Sequence, residues 1–367
     1  MSGENSDSGK NGLGLLSKYR NAIMGVAALS ILFFHAWTPI TLEPGESRVF
    51  LISFLEHFFK KTGFVGVDIF FLLSGIGLTF AINKGSTLRF YYRRIRRVIL
   101  PFFAVGIIRG IVQKWGLVTI IGNLSGYYFF AKDVNSFLWF VPAIVTLYII
   151  FPLYYKIFCR FKNKFLFTVC VITLWLLVSL VLRNIMREDL FGFTNRIPVF
   201  VIGILFGYLI QNKKEIVFSL RTYLLIAIAL LLGFYLAYLT NFLEIELIVP
   251  LGNSFLPNLL IATSSSLLLA KLFYMLEKRF PKLGNIVNKI LGFFGMISLE
   301  LYCVQSWFVD IIDLLLNDGW SKHIVNIAII LIVTATAWVA YELFNGFWEL
   351  VELPFKKKKT ETKAQKV

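Results

Sequence analysis

Residues 22–37 read AIMGVAALSILFFHAW, a nearly unbroken apolar run that begins just after Lys18 and Arg20. A run of this kind is typical of a helix that crosses a bilayer. His35, near its far end, is the only one of the three histidines that lies inside such a run. An ionisable side chain inside a membrane span is costly unless it is paired, and its presence usually indicates function. His35 is therefore the first candidate site residue.

The rest of the chain repeats this apolar pattern. Of the 367 residues 57% are hydrophobic and 17% aromatic, and the mean hydropathy is +0.74. These values lie far above those of a soluble domain. A span needs roughly 20 mostly apolar residues, and such segments start near Ala22, Phe64, Val98, Leu138, Lys164, Ile197, Tyr223, Phe255, Leu291 and Val325. The sequence predicts an all-α, polytopic integral membrane protein with about ten transmembrane helices.

The placement of positive charge predicts the orientation of these helices. If the N-terminus is cytoplasmic, most of the 37 Lys and Arg residues fall on cytoplasmic segments. This bias predicts an even number of spans with both termini in the cytoplasm of a cell-membrane protein. The net charge of +16 then reflects topology and attraction to anionic lipid headgroups. Nucleic-acid binding is not expected, because no basic stretch belongs to a soluble domain.

The ends of the chain are polar. Residues 1–17 are predicted to be a disordered cytoplasmic N-terminus, residues 18–354 the membrane domain, and residues 355–367 a basic cytoplasmic tail. No cleavable signal peptide is expected, because no small-residue cleavage site follows the first apolar run. No spacing of the three cysteines predicts a metal site.

Polar side chains inside the predicted spans are the candidates for chemistry. Asp68 and Ser74 lie in the second span and Glu300 in the middle of the ninth. A histidine and two carboxylates that converge in a low dielectric would suit general-base catalysis, since a carboxylate orients the imidazole. The alternative is a buried polar network that only fixes helix packing. The residues alone leave both interpretations open.

An arginine cluster, YYRRIRR at residues 91–97, lies where the third span leaves the cytoplasm. It can be a set of positive-inside anchors. It can also be a phosphate site, since guanidinium groups bind phosphate oxygens bidentately. The pairs Arg93/Arg96 and Arg94/Arg97 each share a helix face. Coenzyme A would fit such a site, because a long slender arm separates its phosphates from its thioester.

Taken together, these segments resemble the acyltransferase-3 family of polytopic membrane acyltransferases. The matching segments occur in the family's order across nearly the whole chain: residues 19–27 with Phe34 and His35, 63–75, 90–101, 139–144 with Tyr148 and Pro152, 196–200 with Gly203, 298–302, and 352–354. Singly each segment is weak, but together they are specific for the family. They are not specific for a substrate.

The resemblance implies a role for individual residues. His35 matches the family's essential histidine, proposed as the general base on an acceptor hydroxyl. Arg94 and Arg97 match an Arg-x-x-Arg element that is thought to handle the donor, with Arg93, Arg96 and Arg20 as further donor-binding candidates. Asp68, Ser74 and Glu300 match recurrent polar positions. Arg196, Tyr302, Gln305 and Trp139 are further site candidates.

The family generally moves an acetyl or other short acyl group from cytoplasmic acyl-CoA to a sugar hydroxyl. The implied acceptors are surface polysaccharides, cell-wall glycans or lipid-linked sugars. No bound cofactor is expected, and acyl-CoA is the co-substrate.

Two positions depart from the family pattern. Many relatives carry arginine where this chain has Met24, and Arg20 one turn lower is the expected substitute. Many also carry a histidine near the end of the ninth-span motif, where Gln305 is the nearest candidate.

The mechanism and two competing functions stay open. Transfer can be direct, or it can proceed through an acylated enzyme. The same intramembrane charges could instead serve a transporter or flippase of a sugar-lipid or organic anion. The chain could also be a non-catalytic partner in a surface-glycan complex. An acyltransferase of this kind either completes the transfer itself or passes the acyl group to a partner enzyme outside the cytoplasm.

Overall fold

The structure is a computed structural model that describes residues 12–39, 50–132, 138–182, 190–212, 218–241, 243 and 255–364. All regular secondary structure within these residues is helical. The all-α prediction is therefore confirmed.

The first half of the described chain contains eight α-helices. They are α1 (Gly14–Lys18), α2 (Arg20–Ala36), α3 (Phe50–Thr62), α4 (Val65–Ile82), α5 (Thr87–Arg94), α6 (Leu100–Val112), α7 (Leu117–Leu124) and α8 (Phe140–Arg160). A π-helical segment, Ile95–Ile99, joins α5 to α6, and a second one spans Tyr128–Lys132.

The second half of the described chain contains eight further helices, most of them longer. They are α9 (Lys164–Leu182), α10 (Phe191–Thr194), α11 (Ile197–Gln211), α12 (Leu220–Asn241), α13 (Phe255–Arg279), α14 (Pro281–Met296), α15 (Ser298–Asn317) and α16 (Lys322–Ala364).

Seven helical segments among the described residues are long and apolar enough to cross a membrane. The first predicted span is the shorter apolar helix α2, and the third corresponds to the 13-residue α6. The ninth is a pair, α14 and α15, bent by 67° between Met296 and Ser298. The protein is thus a multi-pass membrane protein, and the count of ten spans and the orientation stay predictions.

Helices α2 and α4 form the centre of the molecule. Asp68 and Phe71 of α4 are both fully buried, and α4 packs closely against α2 and α11. The close approach depends on glycine, as in many membrane helix pairs. A β-carbon on Gly203 would lie 2.2 Å from the Leu72 carbonyl oxygen, and one on Gly75 would lie 2.4 Å from the Phe200 carbonyl oxygen.

A methyl group at the α4–α11 crossing is therefore expected to destabilise the protein. Gly203→Ala should lower the free energy of unfolding by about 1–3 kcal/mol, because the two backbones must separate. Gly292→Ala is the matched control, since no atom lies within 4 Å of a β-carbon there. Thermal unfolding in detergent measures both variants. Equal stability of Gly203→Ala and wild type would contradict this close packing.

Helices α9 and α12 lie at the periphery. Only 11% of the apolar window of each is buried inside the protein, so their leucine, isoleucine and valine side chains face outward. Such a surface suits contact with lipid.

The helical structure extends beyond both predicted boundaries of the membrane domain. α1 begins at Gly14, before the predicted boundary at residue 18, because Leu15 and Leu16 are buried. α16 continues through most of the predicted tail to Ala364. Residues 1–11 of the predicted disordered N-terminus and residues 365–367 of the tail lie outside the described residues.

Candidate active site

A cavity of about 320 Å³ lies between α2, α4, α5, α8, α14, α15, α16 and the π-helical segment after α5. Its charged and small polar lining residues are Arg20, Asn21, Ser74, Arg94, Arg97 and Ser298. Its apolar wall includes Ile31, Val67, Phe70 and Phe140. Among the described residues, no Asp or Glu side chain lines this cavity. The arrangement suits an elongated anion with an apolar portion.

The arginine cluster divides into two pairs along the predicted i, i+3 spacing. Arg93 donates hydrogen bonds to the carbonyl oxygens of Ala81 (2.9 Å) and Lys84 (3.4 Å) at the end of α4. Arg96 forms an ion pair with Glu352 of α16. These two arginines hold helices together, and neither lines the cavity. Their predicted role as donor-binding residues therefore has no support in the geometry.

Arg94 and Arg97 both face the cavity. The Arg94 guanidinium lies 5.8 Å from the centres of the Phe90 and Tyr148 rings, and its Nε is buried without a hydrogen-bond partner. Arg97 is bound on both guanidinium nitrogens by Glu300, so its charge is largely compensated. Arg94 is thus the more available anion ligand of the two.

Arg20 is the predicted substitute for the arginine that many relatives carry at the position of Met24. Arg20 and Met24 both line the cavity. The Arg20 Nε lies 3.5 Å from the Leu73 carbonyl oxygen, and Gly77 leaves room for the guanidinium, whose Nη2 would lie 3.1 Å from a β-carbon at that position. The α4 backbone therefore holds Arg20 beside the cavity.

Glu300 lies in the first turn of α15, whereas the sequence predicted it in the middle of a continuous ninth span. At the break, Gly295 packs against the Asn21 carbonyl oxygen, and Arg97 donates a hydrogen bond to the Met296 carbonyl oxygen at 2.7 Å. That bond satisfies a carbonyl oxygen left free at the end of α14. Glu300 is 1% exposed and serves as the counterion of Arg97.

Asp68 belongs to a separate buried cluster. Its Oδ2 lies 3.4 Å from the Arg196 Nε and accepts a hydrogen bond from the Asn258 side chain at 3.3 Å. The Arg196 guanidinium also lies 5.2 Å from the centre of the Trp139 ring. The cluster connects α4, α13 and the start of α11. Asp68 is therefore the counterion of Arg196.

His35 lies at the C-terminal end of the face of α2 that lines the cavity. It lies one turn beyond Ile31, the last α2 residue to line the cavity, and about 22 Å from Arg20 at roughly 1.5 Å per residue. Its side chain is exposed and contacts the Phe34 ring edge-on. Within the described part of the chain, no hydrogen bond joins His35 to Asp68 or Glu300. The expected histidine–carboxylate convergence is absent, because arginines bind both carboxylates.

The surroundings of His35 carry a positive charge. Lys60 of α3 is close enough to interact electrostatically with His35. Burial lowers the pKa of the Lys60 ammonium group, and the nearby Asp313 carboxylate partly opposes that shift. His35 therefore lies near a cationic side chain.

The remaining candidates divide between the cavity and its surroundings. Ser74 and Tyr302 line the cavity, and the Tyr302 hydroxyl accepts a hydrogen bond from the Phe140 backbone N–H at 3.3 Å. Gln305 is buried and its Oε1 has no partner, but it does not line the cavity. Among the described residues, no three His, Cys, Asp or Glu side chains form a possible metal site.

Sequence reasoning assigned no site role to Asn258, Tyr148 or Ser298. An asparagine within the apolar run of α13 is itself a signal of a buried polar contact. No comparable signal marks Ser298, because its position in the cavity depends on the break before α15.

The fold and the cavity define a multi-pass membrane protein with a strongly cationic internal site. Residues 19–342 match the family described as an acyltransferase domain, acyltransferase-3. The chain therefore belongs to the acyltransferase-3 family, as the sequence motifs predicted, and is a membrane acyltransferase by family. Comparison with curated proteins and with solved structures produces no significant match.

Proposed function

We propose that the protein is an O-acyltransferase that moves a short acyl group, acetyl by family habit, from acyl-CoA to a sugar hydroxyl. The observation that carries this proposal is the cavity, whose lining residues lie within the segments that match the family. Three arginines line one end, and an apolar wall runs along α2 to within one turn of His35. An ordinary apolar ligand would not require these arginines, and a free phosphate would not require the apolar wall.

The orientation of the bound acyl-CoA follows from the arginines at one end of the cavity and the apolar wall beyond them. The CoA phosphates bind at Arg94 and Arg20, where guanidinium groups form strong, charge-assisted hydrogen bonds with phosphate oxygens. The arm then extends past Phe70 and Val67 toward Ile31. From Ile31, about 6 Å of helix rise reaches His35, so the thioester approaches the histidine from the cytoplasmic side.

The chemistry at His35 is general-base catalysis. The imidazole removes the proton of an acceptor hydroxyl as the hydroxyl oxygen attacks the thioester carbonyl carbon. The carbon–sulfur bond breaks, and the CoA thiolate leaves and takes up the proton. The exposure of His35 leaves room for a carbohydrate. A two-step route through an acylated histidine uses the same residue.

The finer topology and partners belong to the same proposal. Ten spans with both termini in the cytoplasm would place the arginine end of the cavity on the side where acyl-CoA is available. The acceptor is then a glycan of the cell envelope: a surface polysaccharide, a cell-wall glycan or a lipid-linked sugar. The protein acts within the lipid bilayer of the cell membrane. The proposed reaction requires neither nucleic acid nor a bound cofactor. A separate enzyme outside the cytoplasm could receive the acyl group.

Binding of acyl-CoA by the detergent-purified full chain tests the proposal. Arg94→Met is expected to weaken binding by about 10- to 100-fold, because it removes a charged hydrogen-bond donor from the phosphates. Arg89→Met is the matched control on the same helix, since Arg89 is exposed and does not line the cavity. Calorimetric titration with acetyl-CoA measures all three proteins.

Two results would contradict the proposal. One is a folded wild-type protein that binds no acyl-CoA, which would favour a transporter or a non-catalytic partner. The other is an equal loss of affinity in Arg89→Met and Arg94→Met, which would show that acyl-CoA binds only to the general positive surface.

A further inference from the structure

The break between α14 and α15 exposes the first turn of α15 to the cavity. Gly295 and Met296 before the break, and Ser298 and Leu299 after it, all line the cavity. A continuous ninth span would instead have placed these residues on the side of a helix, with their N–H groups bonded to the preceding turn.

The backbone of this turn has free donors. The Leu301 N–H bonds to the Ile297 carbonyl oxygen at 2.9 Å, and Ile297, the N-cap residue, has no side chain that could accept a hydrogen bond. Within the described residues, the N–H groups of Ser298 and Leu299 have no partner. Free N–H groups at the start of a 20-residue helix carry the positive end of its dipole.

The Ser298 side chain provides an independent observation. Ser298 is only 5% exposed and lines the cavity, and its hydroxyl forms no hydrogen bond among the described residues. Burying a hydroxyl without a partner costs free energy. The hydroxyl is thus available as a donor to a ligand that fills the cavity.

The charges around this turn are positive and available. Arg20 of α2 and Arg94 of α5 line the same cavity, and in the described part of the chain neither has a carboxylate partner. Glu300, the nearest acid along α15, is bound to Arg97. Two guanidinium groups, a hydroxyl and a helix N-terminus together suit a group with charge near −2 and several acceptor oxygens.

We infer that Ser298 and the first turn of α15 form a phosphate-binding subsite, in which a phosphate or diphosphate ester lies between the guanidinium groups of Arg20 and Arg94. The assignment of this phosphate to CoA rests on the proposed function. The anion subsite itself rests on the geometry of the break. Ser298 is accordingly a binding residue that determines donor affinity.

The test uses the full chain purified in uncharged detergent, titrated calorimetrically with CoA and, separately, with inorganic pyrophosphate. Ser298→Ala is expected to weaken binding of both probes roughly tenfold, the value of one charge-assisted hydrogen bond. Ser298→Asp is expected to weaken it by at least about 100-fold through repulsion, and Ser298→Thr should retain binding. Ser265→Ala, a serine in a separate apolar groove, is the control. Thermal unfolding verifies that each variant is folded.

The outcomes separate this inference from the proposed function. Binding of both probes with unchanged affinity by folded Ser298→Ala and Ser298→Asp would overturn the subsite and leave the acyltransferase proposal intact. Ser298-dependent binding of pyrophosphate without any binding of CoA would support the subsite and overturn the donor assignment. Absence of binding of both probes by the wild type would overturn both.

Discussion

Replacement of His35 by alanine is expected to reduce acyl-CoA turnover by about 100- to 10,000-fold, the usual contribution of a general base. His35 lies one turn beyond the cavity, on the same face of α2 as Arg20, Met24 and Ile31. No other histidine lies on α2, and no carboxylate of the described residues bonds to its imidazole. Removal of the imidazole should therefore leave no substitute base.

The folded state is expected to survive this substitution. The His35 side chain is exposed and forms no hydrogen bond within the described part of the chain, so alanine removes little packing. CoA binding should also be retained, because the arginine end of the cavity lies about 22 Å away along the helix. The loss should thus appear in turnover and not in donor affinity.

The measurement is release of the CoA thiol from acetyl-CoA, with water or an added sugar as acceptor. His323→Ala is the matched control, since His323 is an exposed histidine at the start of α16. Wild-type turnover in a folded His35→Ala protein would overturn the assignment of His35 as the base. Intact-mass analysis after incubation without an acceptor distinguishes direct transfer from a route through an acylated enzyme.

Replacement of Arg196 by methionine is expected to lower the free energy of unfolding by about 3–5 kcal/mol, the usual effect of removing one partner of a buried ion pair. Arg196 is 6% exposed and Asp68 fully buried. Without the guanidinium, Asp68 would retain only the amide of Asn258 as a partner. Its carboxylate would then have to stay charged in a low dielectric or bind a proton.

Double substitution separates the ion pair from simple packing. Asp68→Leu combined with Arg196→Met should be more stable than Arg196→Met alone, because no uncompensated charge stays buried. Arg221→Met, at an exposed arginine, is the control. Unfolding by heat or by denaturing detergent measures the series. A stable Arg196→Met protein, or a double variant less stable than either single one, would contradict the ion-pair assignment.

The structure gives Asp68 and Glu300 partners that differ from those of the sequence interpretation. Their position in apolar segments indicated buried, important carboxylates, and both are buried. The sequence does not show which cation each one meets. Asp68 pairs with Arg196, and Glu300 pairs with Arg97; both partners are more than a hundred residues away in the sequence. In the structure both carboxylates pair with arginines, as the open alternative of a structural polar network predicts, and the catalytic role of His35 stays a prediction.

The arginine cluster shows the same division. The spacing of Arg93, Arg94, Arg96 and Arg97 predicted two pairs on two faces, and Arg94 and Arg97 do line the same cavity. It could not predict which pair faces the cavity, because that choice depends on the packing of α4 and α16 around α5. Arg93 bonds to the end of α4 and Arg96 to Glu352, which leaves Arg94 and Arg97 for the site.

The sequence by itself determined the class of fold, the membrane environment and the family, and it predicted His35 as the catalytic base. These properties depend on composition, on helical periodicity and on motifs that are local in the chain. The tertiary structure decided the break before Ser298, the counterions of Asp68 and Glu300, and the polarity of the cavity. Each of these features depends on residues more than a hundred positions apart in the sequence. The physical reason is that a buried charge or a free carbonyl group pairs with whichever partner the helix packing brings within reach.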